Sequence, residues 1–255
     1  MKEIFYWREL LVAFLRILSF FAIVPIFNNK GINIKIKIIL SLMLTYIIFP
    51  VSNYHLWVIP DSLLGLTLVI FEEVIIGFVM GFAVRIVLLP VEIGSEMASY
   101  QMAFTFARSV DPTTGANKSV VSNFLTLMGI VLFLALNGHY YLVWGITESF
   151  RFIPPGVKHI KAISINFIVS FLTKAFELAL KIGAPAIGTL LLMDIILSLV
   201  GKTAPKIQIF FVGFPLKIAV GLFAVLVILN YSLKSWYPMI KGLEDTFSKI
   251  FAMVG

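Results

Sequence analysis

Long apolar runs separated by short polar connections dominate the pattern of hydrophobic and polar positions along the chain. The runs cover residues 10–27, 34–49, 63–89, 120–136, 163–200 and 213–233. About 20 consecutive apolar residues in a helix are enough to span a bilayer. The pattern therefore predicts an all-α integral membrane protein with about six apolar segments, built as one membrane domain over residues 1–255.

Two of these runs are too long for one straight crossing of the membrane. A helix over residues 63–89 would measure about 40 Å, whereas the hydrocarbon core is about 30 Å thick, so it must tilt, bend or leave the bilayer. A more polar, helix-like stretch follows Pro90. Residues 163–200 contain Gly183 and Pro185, and proline removes a helix hydrogen bond and clashes with the preceding turn. We expect a helix break there, as a kink or a two-helix hairpin.

The C-terminal tail shows a different pattern, typical of an amphipathic helix. Its apolar residues recur at helical spacing, namely Leu243, Phe247, Ile250, Phe251 and Val254. Charged residues lie away from this stripe, as Glu244, Asp245 and Lys249 do. We predict a tail helix that buries one face.

Composition supports a membrane location and argues against nucleic acid as a partner. Hydrophobic residues make up 60% of the chain and charged residues 13%, compared with about 25% charged in soluble domains. The net charge is +7, but the lysines are scattered and form no basic stripe, so we interpret them as anchors beside membrane lipid. Cysteine is absent, which excludes disulfides and thiolate metal sites.

The lysine and arginine residues of the loops do not indicate which way the chain is oriented in the membrane. With six spans, the two sides of the membrane receive nearly equal numbers of lysine and arginine, so the positive-inside rule decides nothing. Either the spans are miscounted near Pro185 or the helices do not simply span the bilayer.

Ionisable residues occur inside the apolar runs, where each costs about 2.5 to 3.5 kcal/mol at the centre of a membrane helix. We expect the following to be buried or to lie in interfaces: Glu72, Glu73, Arg85, Lys174, Glu177, Lys181 and Asp194. The spacing of Lys174, Glu177 and Lys181 predicts an ion-pair ladder on one helix face, in a buried or wet interface. For Glu92, Glu96 and Lys217, a position at the end of a segment is an equally good explanation.

Small residues at four-residue spacing predict close helix packing. The pairs are Gly77 with Gly81 and Gly94 with Ala98, and such pairs let two membrane helices approach closely. No pattern for chemistry accompanies them, because the three histidines share no metal-ligand spacing and no nucleophile or phosphate-binding motif is present. We expect a protein that is not an enzyme, with no catalytic residue, cofactor or metal site.

Six ordered stretches are similar to a known family. They are FEEVIIGFVMGF at 71–82, EIGSEMASYQMAF at 92–104, DPTTG at 111–115, LFLALNGHYYL at 132–142, ESFRFIPPG at 148–156 and GKTAPKIQIFFVGFPLKI at 201–218. Together they resemble the FliR family of flagellar biosynthetic proteins, whose counterpart in virulence type III secretion is SctT. The chain departs from the usual family pattern at Ala103, Tyr140, Lys202 and residues 206–208.

The resemblance implies a core export-gate subunit of the bacterial flagellar type III secretion apparatus. Such a subunit forms a gated protein-export channel with FliP and FliQ, is contacted by FlhB, and passes unfolded flagellar proteins. Its kinked helical hairpins are wound into a cone in the cytoplasmic (inner) membrane at the basal body, with the core raised toward the periplasmic side. The charged residues inside the apolar runs would then face neighbouring subunits or the channel.

The same resemblance assigns a role to the polar stretch between the third and fourth runs. The corresponding family loop is a plug in the closed channel, with Phe104 and Phe106 as apolar stoppers and a turn at Asp111, Pro112 and Gly115. The candidate plug residues are Phe104, Phe106, Arg108, Asp111, Pro112, Gly115 and Lys118. On the residues alone, an ordinary surface loop between helices is favoured over a plug for this stretch.

Two other classes of membrane protein stay open on the residues alone. A small-molecule secondary transporter has broken helices at corresponding points of two halves, and this chain has a clear break signal only at Gly183 and Pro185. A membrane-protein insertase needs a basic residue in a groove, for which Arg85 is the candidate.

Overall fold

The computed structural model describes residues 2–27, 32–52, 54–102, 119–156, 164–204 and 208–254. Eight α-helices and two short 3-10 helices make up the regular structure of these residues, without a strand. The α-helices are α1 (Lys2–Ile23), α2 (Ile34–Ile48), α3 (Leu63–Gln101), α4 (Val120–Ala135), α5 (Gly138–Phe152), α6 (Ile165–Thr203), α7 (Ile209–Lys241) and α8 (Leu243–Val254). The 3-10 helices, Phe49–Val51 and Tyr54–Leu56, lie between α2 and α3.

The chain divides into two compact units. The first contains Met1–Val87, Asn137–Phe171 and Lys241–Gly255, and the second contains Leu88–Leu136 and Leu172–Ile240. Each unit combines stretches that are far apart in sequence, so its packing depends on contacts between distant helices.

Several helices have the length and composition of membrane spans. Three are apolar enough to cross a membrane, Ile34–Val51, Leu63–Gln101 and Ile165–Thr203. Val120–Ala135 and Gly138–Phe152 pass the same test as a broken pair, and Phe211–Val227 is a shorter apolar helix. The prediction of an all-α membrane protein is therefore confirmed.

Internal prolines do not end the helices, contrary to part of the prediction. Helix α3 continues through Pro90 to Gln101, and α6 continues through Gly183 and Pro185, so a two-helix hairpin at that point is wrong. Helix α7 likewise continues through Pro215. An apolar environment provides no water for a backbone that leaves the helix, and neighbouring groups can satisfy the carbonyls that proline frees. A long apolar helix therefore tolerates these prolines.

Helix α2 buries three of its polar side chains and exposes most of its apolar ones. Lys37, Ser41 and Thr45 are buried at four-residue spacing, and the Ser41 and Thr45 hydroxyls donate to the carbonyls of Lys37 and Ser41 at 2.7 and 2.6 Å. Ile39 and Ile47 are exposed on the other faces. This arrangement is the reverse of a surface helix in water and fits contact with lipid or with another protein.

The tail helix α8 buries the predicted stripe. Leu243, Phe247, Ile250, Phe251 and Val254 are all buried, which confirms the amphipathic pattern. The Phe251 ring stacks on Phe152 of α5, with 5.6 Å between centroids. A side chain at Gly145 would overlap the ring of Phe247, so this glycine lets α8 pack directly on α5.

Candidate functional site

In the first unit, a buried ion pair joins α1 to α3. Arg16 Nε and Nη2 donate to the two carboxylate oxygens of Glu73 at 2.5 and 2.8 Å, and the two side chains are 1% and 2% exposed. Two parallel hydrogen bonds of this kind fix both position and orientation. Glu73 is buried beside Arg16, a residue that the sequence pattern did not single out.

The same guanidinium reaches α5 and the residue that follows it. Arg16 Nη1 donates to Ser149 Oγ at 3.2 Å, and Nη2 donates to the Ile153 carbonyl at 2.8 Å. The guanidinium carbon lies 4.3 Å from the centroid of the Phe150 ring, within the range of a cation–π contact. Because four of the five N–H groups of Arg16 donate to groups of the chain itself, we interpret this cluster as one that stabilises the fold.

Glycine brings α1 and α3 close enough for this pair to form. A Cβ at Gly77 would overlap the Arg16 carbonyl and the Ser19 hydroxyl, and one at Gly81 would lie 2.7 Å from the Phe20 carbonyl oxygen. A real Cβ could not occupy either position without moving the backbone. The predicted small-residue pair therefore lies directly against α1.

In the second unit, Asp194 of α6 is the centre of a more open polar cluster. Its Oδ1 forms an ion pair with Lys217 Nζ of α7, and its Oδ2 accepts from Gln101 Nε2 of α3 at 3.3 Å. The side chains of Lys217 and Asp194 are 19% and 39% exposed. Lys217 is therefore a partner of Asp194 as well as a residue near a segment end.

A cavity of about 640 Å³ adjoins the Asp194–Lys217 pair. Its lining comes from the C-terminal part of α6 and the N-terminal part of α7. The charged and hydroxyl groups that line it are Asp194, Ser198, Lys202 and Lys217. This is a site where an external polar group could be held.

The two ends of the stretch with the predicted plug residues are held together in the second unit. Ser99 Oγ of α3 is hydrogen-bonded to Ser119 Oγ, which also accepts from the Ser122 amide at 3.1 Å as the N-cap of α4. Glu96 accepts from Ser122 Oγ at 2.6 Å. All seven predicted plug residues, Phe104, Phe106, Arg108, Asp111, Pro112, Gly115 and Lys118, lie outside the described residues.

The second small-residue pair lies against α6 within the same unit. A Cβ at Gly94 would be 3.0 Å from the Ala179 carbonyl oxygen and 2.9 Å from Ile182 Cγ2. Ala98 is fully buried, and the Gly183 position lies close to the Gly94 backbone. Gly183 therefore serves close packing in the middle of a continuous helix.

The predicted charge ladder on α6 is only partly formed. Lys181 Nζ lies 2.6 Å from Glu177 Oε1, but both side chains are more than half exposed. Within the described part of the chain, no ion pair connects Lys174 to Glu177. Arg85 is also exposed, whereas Glu72 is half-buried. These charged side chains therefore lie outside the hydrophobic core, in contrast to Glu73.

The N-terminal end of α1 is tied to the connection that precedes α3. Arg8 Nη1 donates to Asp61 Oδ1 at 2.8 Å, with the aspartate largely exposed. Burial raises the pKa of the neighbouring Glu9 carboxyl, and the charge of His55 opposes that rise. Exposed pairs of this kind contribute little stability, so this end is less firmly fixed than the Arg16 cluster.

Comparison with known proteins relates nearly the whole chain to one family of bacterial export proteins. The family described as "Bacterial export proteins, family 1" matches residues 8–243. A flagellar biosynthetic protein FliR of Buchnera aphidicola subsp. Schizaphis graminum is 30% identical over 244 residues, covering 94% of this chain and 89% of that protein.

Two further relatives carry the same name. The Bacillus subtilis (strain 168) protein is 28% identical over 253 residues, covering 96% of this chain and 95% of its own length. The Escherichia coli (strain K12) protein is 26% identical over 244 residues, covering 94% and 88%. The resemblance to the FliR family is confirmed, and names that describe export and flagellar biosynthesis agree with a protein that is not an enzyme.

The matches extend across both compact units, from α1 to the start of α8. With the membrane-length helices, they make this a membrane-located component of a flagellar export apparatus. The chain belongs to the bacterial export proteins, family 1.

Proposed function

We propose that the chain is the core export-gate subunit of a flagellar type III secretion apparatus. In this proposal it forms a gated channel with FliP and FliQ, is contacted by FlhB, and lets unfolded flagellar proteins pass. It acts as one gate domain over residues 1–255 in the cytoplasmic (inner) membrane at the basal body, with its core raised toward the periplasmic side. The observation that carries the proposal is the closed base of the stretch 103–118 in a chain of the export family.

The serine pair explains why this stretch is suited to be a plug. Because Ser99 and Ser119 are joined by a hydrogen bond, the chain leaves and returns at one point, and both ends are fixed to helices. Met102 is fully buried and lies against Gly221 of α7, which fixes the departing end further. Non-helical backbone at membrane depth needs burial in protein or a watery channel. A plug in a channel meets that requirement, with Phe104 and Phe106 as the apolar obstruction.

Exposed apolar helix faces support assembly with partner subunits. Only 28% of the most apolar window of α6 is buried within the chain, and Leu192, Ile195 and Leu199 are exposed. The same helix carries the exposed charges Lys174, Glu177 and Lys181, which would be costly in hydrocarbon. A face that combines exposed apolar groups with charges fits a protein interface better than lipid alone.

Deletion of residues 104–118 tests the plug. The two ends are adjacent at the serine pair, so a short Gly-Ser linker can rejoin them without moving α3 or α4. We expect the variant to assemble with FliP and FliQ but to make the membrane leaky to ions and small molecules. The measurement is dye and potassium efflux from cells that produce all three proteins.

Two point variants separate a plug from a simple loop in the same assay. Replacement of Phe104 and Phe106 by alanine removes the obstruction at unchanged loop length and should produce a partial leak. Thr113→Ala alters the same loop outside the seven predicted plug residues and should stay tight. A tight membrane in the deletion variant, with the assembly intact, would contradict the plug.

The transporter alternative loses its main sequence feature. That reading needed a broken helix at Gly183 and Pro185, whereas α6 is continuous across both residues. The export gate is therefore the function that the continuous helix favours.

A further inference from the structure

The cavity beside Asp194 and Lys217 lies between the C-terminal part of α6 and the N-terminal part of α7. Asp194, Ser198 and Lys202 come from the last turns of α6, and Gly213, Phe214 and Lys217 come from the first turns of α7. Its volume of about 640 Å³ falls in the range of sites that hold small molecules or cofactors, which is about 300 to 1,000 Å³. The cavity is therefore large enough for a ligand rather than for a few waters.

The charges on the cavity wall favour an anion. Asp194 is already engaged on both oxygens, by Lys217 and by Gln101, so its negative charge is compensated within the protein. Lys202 is exposed, and no described residue forms an ion pair with it. Ser198 stands one helical turn before Lys202 on the same face of α6. An ammonium group and a hydroxyl thus remain for an incoming oxyanion.

The cavity also has the position expected for a lipid headgroup. Helix α6 is one of the membrane-length apolar helices, and Lys202 is the basic residue in its last turn, so it lies at an end of the apolar helix, the part that is closer to a headgroup than the middle of a span is. The apolar side chains of Phe211 and Leu216 are exposed on the first turns of α7. They provide a surface for acyl chains below a headgroup.

We propose that this cavity binds an anionic phospholipid, with the lipid phosphate held by Lys202 and Ser198. Basic pockets between membrane helices are known to hold anionic headgroups, and two of the lining residues, Gly201 and Gly213, occupy no cavity space with a side chain. The lipid would fill the space between the ends of α6 and α7 and hold them at a fixed separation.

Photo-crosslinking of lipid to the full chain in membranes tests the proposal. The probes are phosphatidylglycerol and phosphatidylcholine with a photoactivatable group close to the headgroup, each in otherwise identical vesicles. We expect peptides that contain Leu197 or Phe214 to be labelled about fivefold more by phosphatidylglycerol, since one lysine near an anionic surface contributes about that factor. An excess of inorganic phosphate should leave the labelling unchanged.

A pair of matched variants links the labelling to Lys202. Lys202→Gln should reduce the phosphatidylglycerol labelling about fivefold, whereas Lys202→Arg should keep it. Lys174→Gln removes an exposed lysine from the same helix outside the cavity and should label like the parent.

Three results would overturn the lipid site. They are equal labelling by the two lipids, equal labelling of Lys202→Gln and Lys174→Gln, and loss of labelling with free phosphate, which would identify a phosphate site. The comparison of lipids uses the unaltered chain, so it holds even if a variant fails to fold.

Discussion

Two ion pairs, one in each compact unit, show how differently the same chemistry can be used in this chain. Arg16 and Glu73 are 1% and 2% exposed, and the guanidinium is also bound by Ser149 and the Ile153 carbonyl. Lys217 and Asp194 are 19% and 39% exposed and border a cavity. The first pair is part of the interior, and the second pair is part of a surface that can receive another molecule.

The difference determines what each pair contributes. A fully buried pair adds little net stability over a well-packed apolar pair, but it becomes very costly when one partner is removed. A partly exposed pair is screened by its surroundings, so the loss of one partner costs much less. Arg16 and Glu73 therefore fix which helices meet, while Asp194 and Lys217 contribute less to that choice.

The largest expected effect comes from breaking the buried pair. Glu73→Ala leaves the Arg16 charge buried without its carboxylate, which should destabilise the chain by about 3 to 5 kcal/mol. The measurement is the temperature at which half of the chain in isolated membranes becomes sensitive to protease. A double variant, Arg16→Met with Glu73→Leu, fills the same space without charge and should recover most of this loss. A double variant as unstable as Glu73→Ala would contradict the role given to the pair.

The glycine contact under the buried pair should give the next largest effect. Gly77→Ala places a Cβ against the Arg16 carbonyl and should cost about 1 to 3 kcal/mol through overpacking. Gly188→Ala is the matched control, because no atom lies within 4 Å of its Cβ position. The control should be stabilised by about 0.4 to 1 kcal/mol, because alanine reduces the freedom of the unfolded chain. The same protease assay measures both, and equal shifts in the two variants would contradict close packing at Gly77.

Breaking the open pair should have a smaller effect. Asp194→Asn keeps the shape of the side chain and the contact with Gln101 but removes the charge that faces Lys217. Since this pair is partly exposed, we expect a loss of at most about 1 kcal/mol, a shift of about 2 to 4 °C for a chain of this size. A loss as large as that of Glu73→Ala would show that the two pairs do not differ as described.

The smallest effect is expected at Glu177. Its carboxylate pairs with Lys181, but both side chains are more than half exposed. Glu177→Gln should leave the protease-sensitivity midpoint of the chain in membranes unchanged, while assembly with FliP and FliQ should weaken if this face is an interface. If Glu177→Gln shifts the protease-sensitivity midpoint of the chain without FliP and FliQ, the pair stabilises the fold as the Arg16–Glu73 pair does, which would contradict the account.

The sequence pattern was sufficient to predict that the chain is a membrane protein, where its apolar segments lie and which residues of α8 are buried. These features depend on local composition and on helical period, which are visible in any window of the chain. The close approach at Gly77 and Gly81 also agrees with a local signal, because small residues at four-residue spacing leave room for another helix. The identity of that helix, α1, is not encoded in the spacing.

Long-range partners and proline effects could not be predicted in the same way. Arg16 and Glu73 are 57 residues apart, and only the packing of α1 on α3 shows that they meet. An arginine inside the first apolar run was nevertheless a signal that a carboxylate must be near. Of the two forms of break expected at Pro185, a kink or a two-helix hairpin, the continuous helix α6 excludes the hairpin, because neighbouring groups in an apolar environment can satisfy the carbonyl that proline frees. The plug residues lie outside the described residues, so their role stays a prediction.

The most direct test of the central claim, that this chain is completed by partner subunits, is purification of the chain with and without them. When produced alone, the chain should accumulate to lower levels and resist protease less well than in a complex, and it should form a complex of fixed composition when FliP and FliQ from the same bacterium are produced with it. A lone copy that stays monomeric in detergent, resists protease as well as the complex does, and moves a small solute after reconstitution would contradict the account.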